Sequence, residues 1–174
     1  MKIRESTTLD HSAIREVHLN AFGQYEGPTV SQLAGALLSD ETTRPILSLV
    51  AEDDGEVVGS IIFSSVAITD HEGISAYILA PLAVRNERQG QGIGTELINS
   101  GLKMLKDSGA ELVLVLGDPR YYSRSGFKAD HDLQPPYKLE YPEAWMAREI
   151  RQGVLERVEG LVKCASSLES PEHW

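Results

Sequence analysis

The chain has 174 residues, enough for one domain with a substantial core and short for two, so residues 1–174 are expected to form a single domain. Its formal net charge of −10 disfavours a general nucleic-acid binder, which needs Lys and Arg to displace counterions, and suits attraction of a cationic substrate such as an amine. The longest apolar runs, such as Leu112–Leu116, are far too short to cross a bilayer, and the segment Met1–Glu5 has no apolar core of a secretory signal, so a cytoplasmic location with no membrane partner is expected.

Ile3–Ser6 has the makings of a short first strand, and Asp10 stands where it can cap a helix carrying Ile14, Val17, Ala21 and Phe22 at helical spacing. Gly27-Pro28 is expected to break that helix, with Pro28 in the first turn of the next. Val30, Leu33, Ala34, Leu37 and Leu38 then follow the i, i+3, i+4, i+7, i+8 pattern of a buried stripe. Ile46–Glu52 and Glu56–Thr69 read as strands joined by the tight turn Asp53-Asp54-Gly55, and a second turn, Asp70–Gly73, leads to the strand Ser75–Val84.

After a glycine-rich loop comes the clearest periodicity in the chain. Ile93, Leu97, Ile98, Gly101, Leu102, Met104 and Leu105 fall in one half of a helical wheel, and Gly109 stops the helix. Leu112–Leu116 follows as a short buried strand beside the previous one, a strand–helix–strand crossover that makes the sheet mixed. Asp118-Pro119 caps a short helix ended by Gly126. Pro135, Pro136 and Pro142 mark an irregular stretch, Ala144–Ile150 is a strand, and Val154–Leu168 reads equally as helix or bent strand. Cys164, the only cysteine, excludes a disulfide framework and any multi-cysteine zinc site, and no partner that would activate its thiol is visible. The five histidines show no paired metal-ligand spacing, so no metal is expected.

Glycines alternate in Gly90-Gln91-Gly92-Ile93-Gly94, between a strand and an amphipathic helix. Such a loop lets successive backbone N–H groups turn toward an anion, and the helix start adds its own free N–H groups and dipole. A diphosphate cradle and a plain tight turn both remain open on this chemistry alone. A dinucleotide fingerprint fails because Thr95 stands where its last glycine should be, and a nucleotide P-loop fails because no lysine follows Gly94.

Three motifs then coincide. Gln89-x-x-Gly92-x-Gly94 resembles the (Arg or Gln)-x-x-Gly-x-(Gly or Ala) signature of the GNAT acetyltransferase superfamily, Leu79–Val84 resembles its fourth strand, and Tyr122-Ser123-Arg124-Ser125-Gly126-Phe127 resembles its Tyr-x-x-x-Gly-Phe segment. Gly117-Asp118-Pro119-x-Tyr121-Tyr122 with Ala144–Ala147 is similar to a bacterial branch of predicted N-acetyltransferases. The resemblance implies an α+β sandwich: a twisted, mostly antiparallel mixed sheet of about six or seven strands with helices on both faces. It implies acetyl-CoA as cosubstrate, its pyrophosphate on backbone N–H groups of Gln89, Gly90, Gln91, Gly92, Ile93, Gly94 and Thr95. Its pantetheine arm would bond the backbone of Leu82, Ala83 and Val84, which requires the sheet to part beside them, and Pro81 suits such an edge or bulge.

Tyr122 is the implied general acid, with Tyr121 its neighbouring competitor, and a primary amine the implied acceptor. Glu26, Asp118 or a water chain could take the amine's proton. Arg124 meets either a phosphate or solvent. Rival expectations are an acyl-CoA sensor that binds without transfer and a purely structural domain. The assembly expected is a monomer or homodimer.

Overall fold

The computed structural model describes residues 1–174. Strands β1 (Lys2–Glu5), β2 (Ile46–Asp53), β3 (Glu56–Ile68), β4 (Ala76–Val84), β5 (Leu112–Leu116), β6 (Asp132–Gln134), β7 (Trp145–Glu149) and β8 (Glu159–Lys163) form one mixed sheet, and α1 (His11–Ser39), α2 (Ile93–Asp107) and α3 (Pro119–Tyr122) are its helices. The main path runs β1-β2-β3-β4-β5-β7; β8 pairs with the end of β3, and β6 pairs with β8. The eight strands exceed the six or seven expected: β6 has only three residues, and β8 settles the helix-or-strand ambiguity of 154–168 in favour of a short strand between single turns.

Period-two alternation in the strands sorts the apolar side chains onto two faces. On one, Val50, Ile62 and Ile78 meet Ile14, Val17, Leu33 and Leu37 of α1. On the other, Leu49, Ile61, Phe63 and Val113 meet Leu97, Ile98, Leu102 and Leu105 of α2. Met104, placed on the apolar half of the wheel by its spacing, lies at the rim, 37% exposed. Cys164 is buried in the α1-side core, where burial pushes its thiol up to about 12, an inert packing residue.

Two expectations about α1 need correction. Its entry is capped by Thr7 and not by Asp10: the Asp10 carboxylate instead reaches back to accept from the Thr7 N–H (2.8 Å) and from the Arg4 guanidinium (2.8 and 2.9 Å). The break falls at Gly23 and not at Gly27-Pro28. Gly23 has φ 75° and ψ −170°, a conformation open essentially to glycine alone, and Pro28 lies inside the second segment.

Gly27 has another task. A Cβ there would lie 2.7 Å from the Leu19 carbonyl, so the glycine lets the two segments of α1 approach across the bend. Gly27→Ala should therefore lose about 1–3 kcal/mol to forced separation, against about 1 kcal/mol gained in helix propensity. Gly35→Ala meets only the flexible Arg15 side chain, at 3.1 Å, and should keep the gain. Urea midpoints check this, and a Gly27→Ala midpoint at or above that of Gly35→Ala would remove the close-approach account.

Candidate active site

The sheet parts beside Leu82–Val84, as the resemblance implies. β4 and β5 run parallel and pair from Ala76↔Leu112 to Leu79↔Val115, then stop. At that point β4 bulges against β3: Ala80 and Pro81 together oppose Ile62, between the pairs Phe63↔Leu79 and Ile61↔Leu82. Leu82, Ala83 and Val84 stay paired with β3 on one side and are unpaired on the β5 side.

A cleft of about 480 Å³ opens along this free edge, lined by Leu82, Ala83 and Val84 and continuing over Gln89, Gly90, Gly92, Ile93, Gly94 and Thr95. Gly92 caps α2 in the left-handed region (φ 83°). The N–H groups from Gly90 through Thr95 donate to no group within the chain, the next donor being Glu96 N–H to the Gly92 carbonyl at 3.0 Å. Ile93, Gly94 and Thr95 carry N–H groups that any helix start leaves free, and Gly90, Gln91 and Gly92 extend them into a longer run of donors that suits an anion. Gln89 differs from expectation: its N–H is engaged with the Asn86 carbonyl (3.4 Å), and its side-chain amide donates to the Val84 carbonyl (3.1 Å), tying loop to strand. Gln91 is absent from the lining; its side-chain oxygen accepts from Arg88 Nε at 3.3 Å.

Arg88 and Arg124 add two guanidinium groups to this cleft. Arg124 thus borders the ligand space while remaining exposed.

Tyr122 sits at the far end. The left-handed turn at Gly126 (φ 83°) reverses the chain so that Phe127 N–H donates back to the Tyr122 carbonyl (3.3 Å). Phe127 is 1% exposed and holds the Tyr122 ring edge-on at 5.8 Å, while Tyr121 holds it from another side at 5.0 Å. This accounts for the Tyr-x-x-x-Gly-Phe spacing. Burial pushes the Tyr122 phenol well above its ordinary value, so it is protonated at neutral pH, and no hydrogen bond stabilises its anion. Tyr121 points elsewhere: its hydroxyl occupies the place a Cβ of Gly94 would take.

A second cavity, about 540 Å³, adjoins the first, and the residues the two share are Leu82 and Tyr122. It is built from the bend in α1 (Phe22, Tyr25, Glu26), the turn after β5 (Gly117, Asp118) and the segment 168–174. Glu26, exposed, borders it as expected of a base candidate. Asp118 does too, but its carboxylate caps α3 by accepting from Arg120 N–H (2.9 Å), and the Arg120 side chain holds it below the usual carboxylate range. Glu172, His173 and Trp174 were not singled out by sequence reasoning; burial holds His173 below its ordinary value and so favours its neutral form. No local signal marks these residues, because only the path of the chain after β8 brings them to α1.

The two cavities are of opposite character. Guanidinium groups and free N–H donors line one, carboxylates the other, and a tyrosine stands at their junction. A donor-lined cleft joined to a second cavity at Leu82 and Tyr122 suits the class of acyl-CoA-dependent acetyltransferases.

Comparison with known proteins agrees. Residues 45–129 match the acetyltransferase (GNAT) domain family. The chain is 37% identical over 162 residues to the uncharacterized N-acetyltransferase YjhQ of Escherichia coli K12, covering 90% of this chain and 87% of that one. Among solved structures it is similar to the Escherichia coli GNAT family N-acetyltransferase YhbS in complex with CoA (TM-score 0.88, 31% identity, 98% of this chain and 92% of that one). It is also similar to a Brucella melitensis GNAT family acetyltransferase in complex with acetyl-CoA (TM-score 0.79, 33% identity, 96% and 97%). The chain belongs to the GNAT acetyltransferase family.

Proposed function

We propose that this enzyme moves the acetyl group of acetyl-CoA directly to a primary amine, both held at once. The observation that carries the reading is the junction at Leu82 and Tyr122 between a donor-lined cleft and a carboxylate-lined cavity. The pyrophosphate would rest on the N–H groups from Gly90 to Thr95, and the pantetheine arm would add to the free edge of Leu82–Val84. The amine enters from the other side.

An alkylammonium with pKa of about 10.4 must lose a proton before it can attack. Glu26 takes that proton, alone or through water. The nitrogen then attacks the thioester carbonyl carbon, the C–S bond breaks, and the sulfur leaves with the Tyr122 proton. The proton still on the nitrogen restores Tyr122, so one proton is released per turnover. The low polarity that keeps the phenol protonated also destabilises a bare thiolate, which makes the donated proton count for more. A sensor that binds without transfer has no use for a protonated, unengaged hydroxyl at the junction.

A cytoplasmic setting and a monomer or homodimer belong to the same reading; no helix is long and apolar enough to cross a membrane. With acetyl-CoA and a panel of primary amines, the protein should release free CoA in step with N-acetylated product, followed by a thiol reagent and mass spectrometry. Glu26→Gln should slow this release while retaining acetyl-CoA binding. Binding without CoA release for any amine would leave the sensor in place of the enzyme.

A further inference from the structure

The acceptor cavity is specific in its chemistry beyond its three carboxylates. Its charged side chains are Glu26, Asp118 and Glu172, and neither Lys nor Arg contributes to it. Most of the remaining lining is apolar, and it includes two rings held from behind. The Trp174 indole N–H donates to the Leu168 carbonyl (2.7 Å) and its ring meets Trp145 edge-on at 5.5 Å. Trp145 is itself buried, its N–H donating to the Leu133 carbonyl at 2.9 Å. Phe22 lies parallel to the His18 ring at 6.4 Å, with 1° between the planes. His18 is wholly buried, and its Nδ1–H donates to the Ile14 carbonyl at 2.8 Å, the carbonyl being able only to accept. The Trp174 wall is therefore held by a hydrogen bond and a buried ring before any ligand arrives, and Phe22 faces it with the buried His18 ring alongside, which reduces the ordering cost of binding a flat group.

We propose that the acceptor is a small primary amine carrying an apolar, aromatic-sized substituent, the ring lying in the cavity between α1 and the segment 168–174. This rests on the acetyl-transfer reading of the same site. The cavity of about 540 Å³ falls in the range of small-molecule pockets. The reacting nitrogen has to reach Tyr122, and Asp118, in the cap of the same short helix, supplies a carboxylate near that approach. The rest of the acceptor then meets apolar and aromatic side chains. Glu26 and Glu172 are exposed, so a second ammonium of a polyamine would gain little from these solvated carboxylates, and most hydroxyls of an amino sugar would face apolar lining.

The test is a comparison of kcat/KM for 2-phenylethylamine, ethylamine, spermidine and glucosamine at saturating acetyl-CoA. The first should exceed each of the others by about 10–200-fold, the discrimination a hydrophobic pocket gives. Phe22→Ala and Trp174→Leu should each pull the phenylethylamine-to-ethylamine ratio toward one, mainly through KM for the aromatic amine. A ratio near one in the parent protein, or preference for spermidine or glucosamine, overturns the proposal and leaves amine acetylation standing. Failure of every amine to release CoA, with acetyl-CoA still raising the thermal midpoint, overturns both. Should Trp174→Leu fail to fold, Phe22→Ala and the substrate ratios of the parent protein decide.

Discussion

Replacing Gly92 with leucine should abolish the rise in thermal midpoint that acetyl-CoA produces in the parent protein. At a ligand concentration 100 times Kd, mass action contributes about 2.7 kcal/mol, which for a chain of this size is a rise of about 5–11 °C. Gly92 lines the cleft, with φ 83° and open space around its missing Cβ, so a bulky side chain there should take room from the pyrophosphate. The left-handed backbone also strains an L-residue by about 1–2 kcal/mol, so the variant should melt lower by itself, and the quantity to read is the ligand-dependent increment. Gly55 gives the matched control: it has φ 78°, an equally open surround and a place in the hairpin between β2 and β3. Gly55→Leu should bear similar strain and keep the full increment. An unchanged increment in Gly92→Leu, or one lost equally in Gly55→Leu, would remove the cradle assignment.

The loop was legible in the sequence because everything that defines it is local. A strand, alternating glycines and an amphipathic helix follow one another within Ala76–Asp107, while the opening beside β4 came only from the family resemblance. The bend in α1 was not legible, because the same letter serves two purposes within five residues: Gly23 supplies a left-handed backbone and Gly27 supplies absence of bulk. Only the fold says which is which. Asp10 misled for a related reason, since an acidic residue at a helix entry can be the cap or the third residue of a capping box. The Arg4 guanidinium drew it to the second role.

Long-range pairing hid the rest. β6 is a three-residue strand supported by β8, with no periodicity of its own, and β8 is defined by the end of β3. The donor side of the candidate site is thus local in the chain, while the acceptor side joins segments far apart in sequence. The Tyr-x-x-x-Gly-Phe segment lies between these cases. Its spacing picks Tyr122 over Tyr121, and the structure adds the reason: the Gly126 turn and buried Phe127 orient one ring toward the junction, while the other ring fills the gap at Gly94.

Tyr122→Phe is expected to lower kcat by about 10²–10⁴-fold, the usual worth of a general acid. The substitution keeps the ring that packs at 5.8 Å against Phe127 and 5.0 Å against Tyr121, so stability should hold. Affinity for acetyl-CoA should hold as well, since the proposed cradle consists of the partner-free backbone N–H groups between Gly90 and Thr95. Tyr121→Phe removes a hydroxyl that rests against Gly94 and lines only the first cleft, and should cost far less. The deficit of Tyr122→Phe should narrow with acyl donors whose leaving thiol is more acidic, because a thiolate that departs readily needs less of the proton. A burst-free progress curve with a true acceptor would establish that chemistry limits turnover, the condition under which the comparison has meaning. Equal turnover of Tyr122→Phe and the parent under that condition would refute the general-acid role. The proton for the sulfur would then have to come from water, with Tyr122 reduced to a wall between the two cavities.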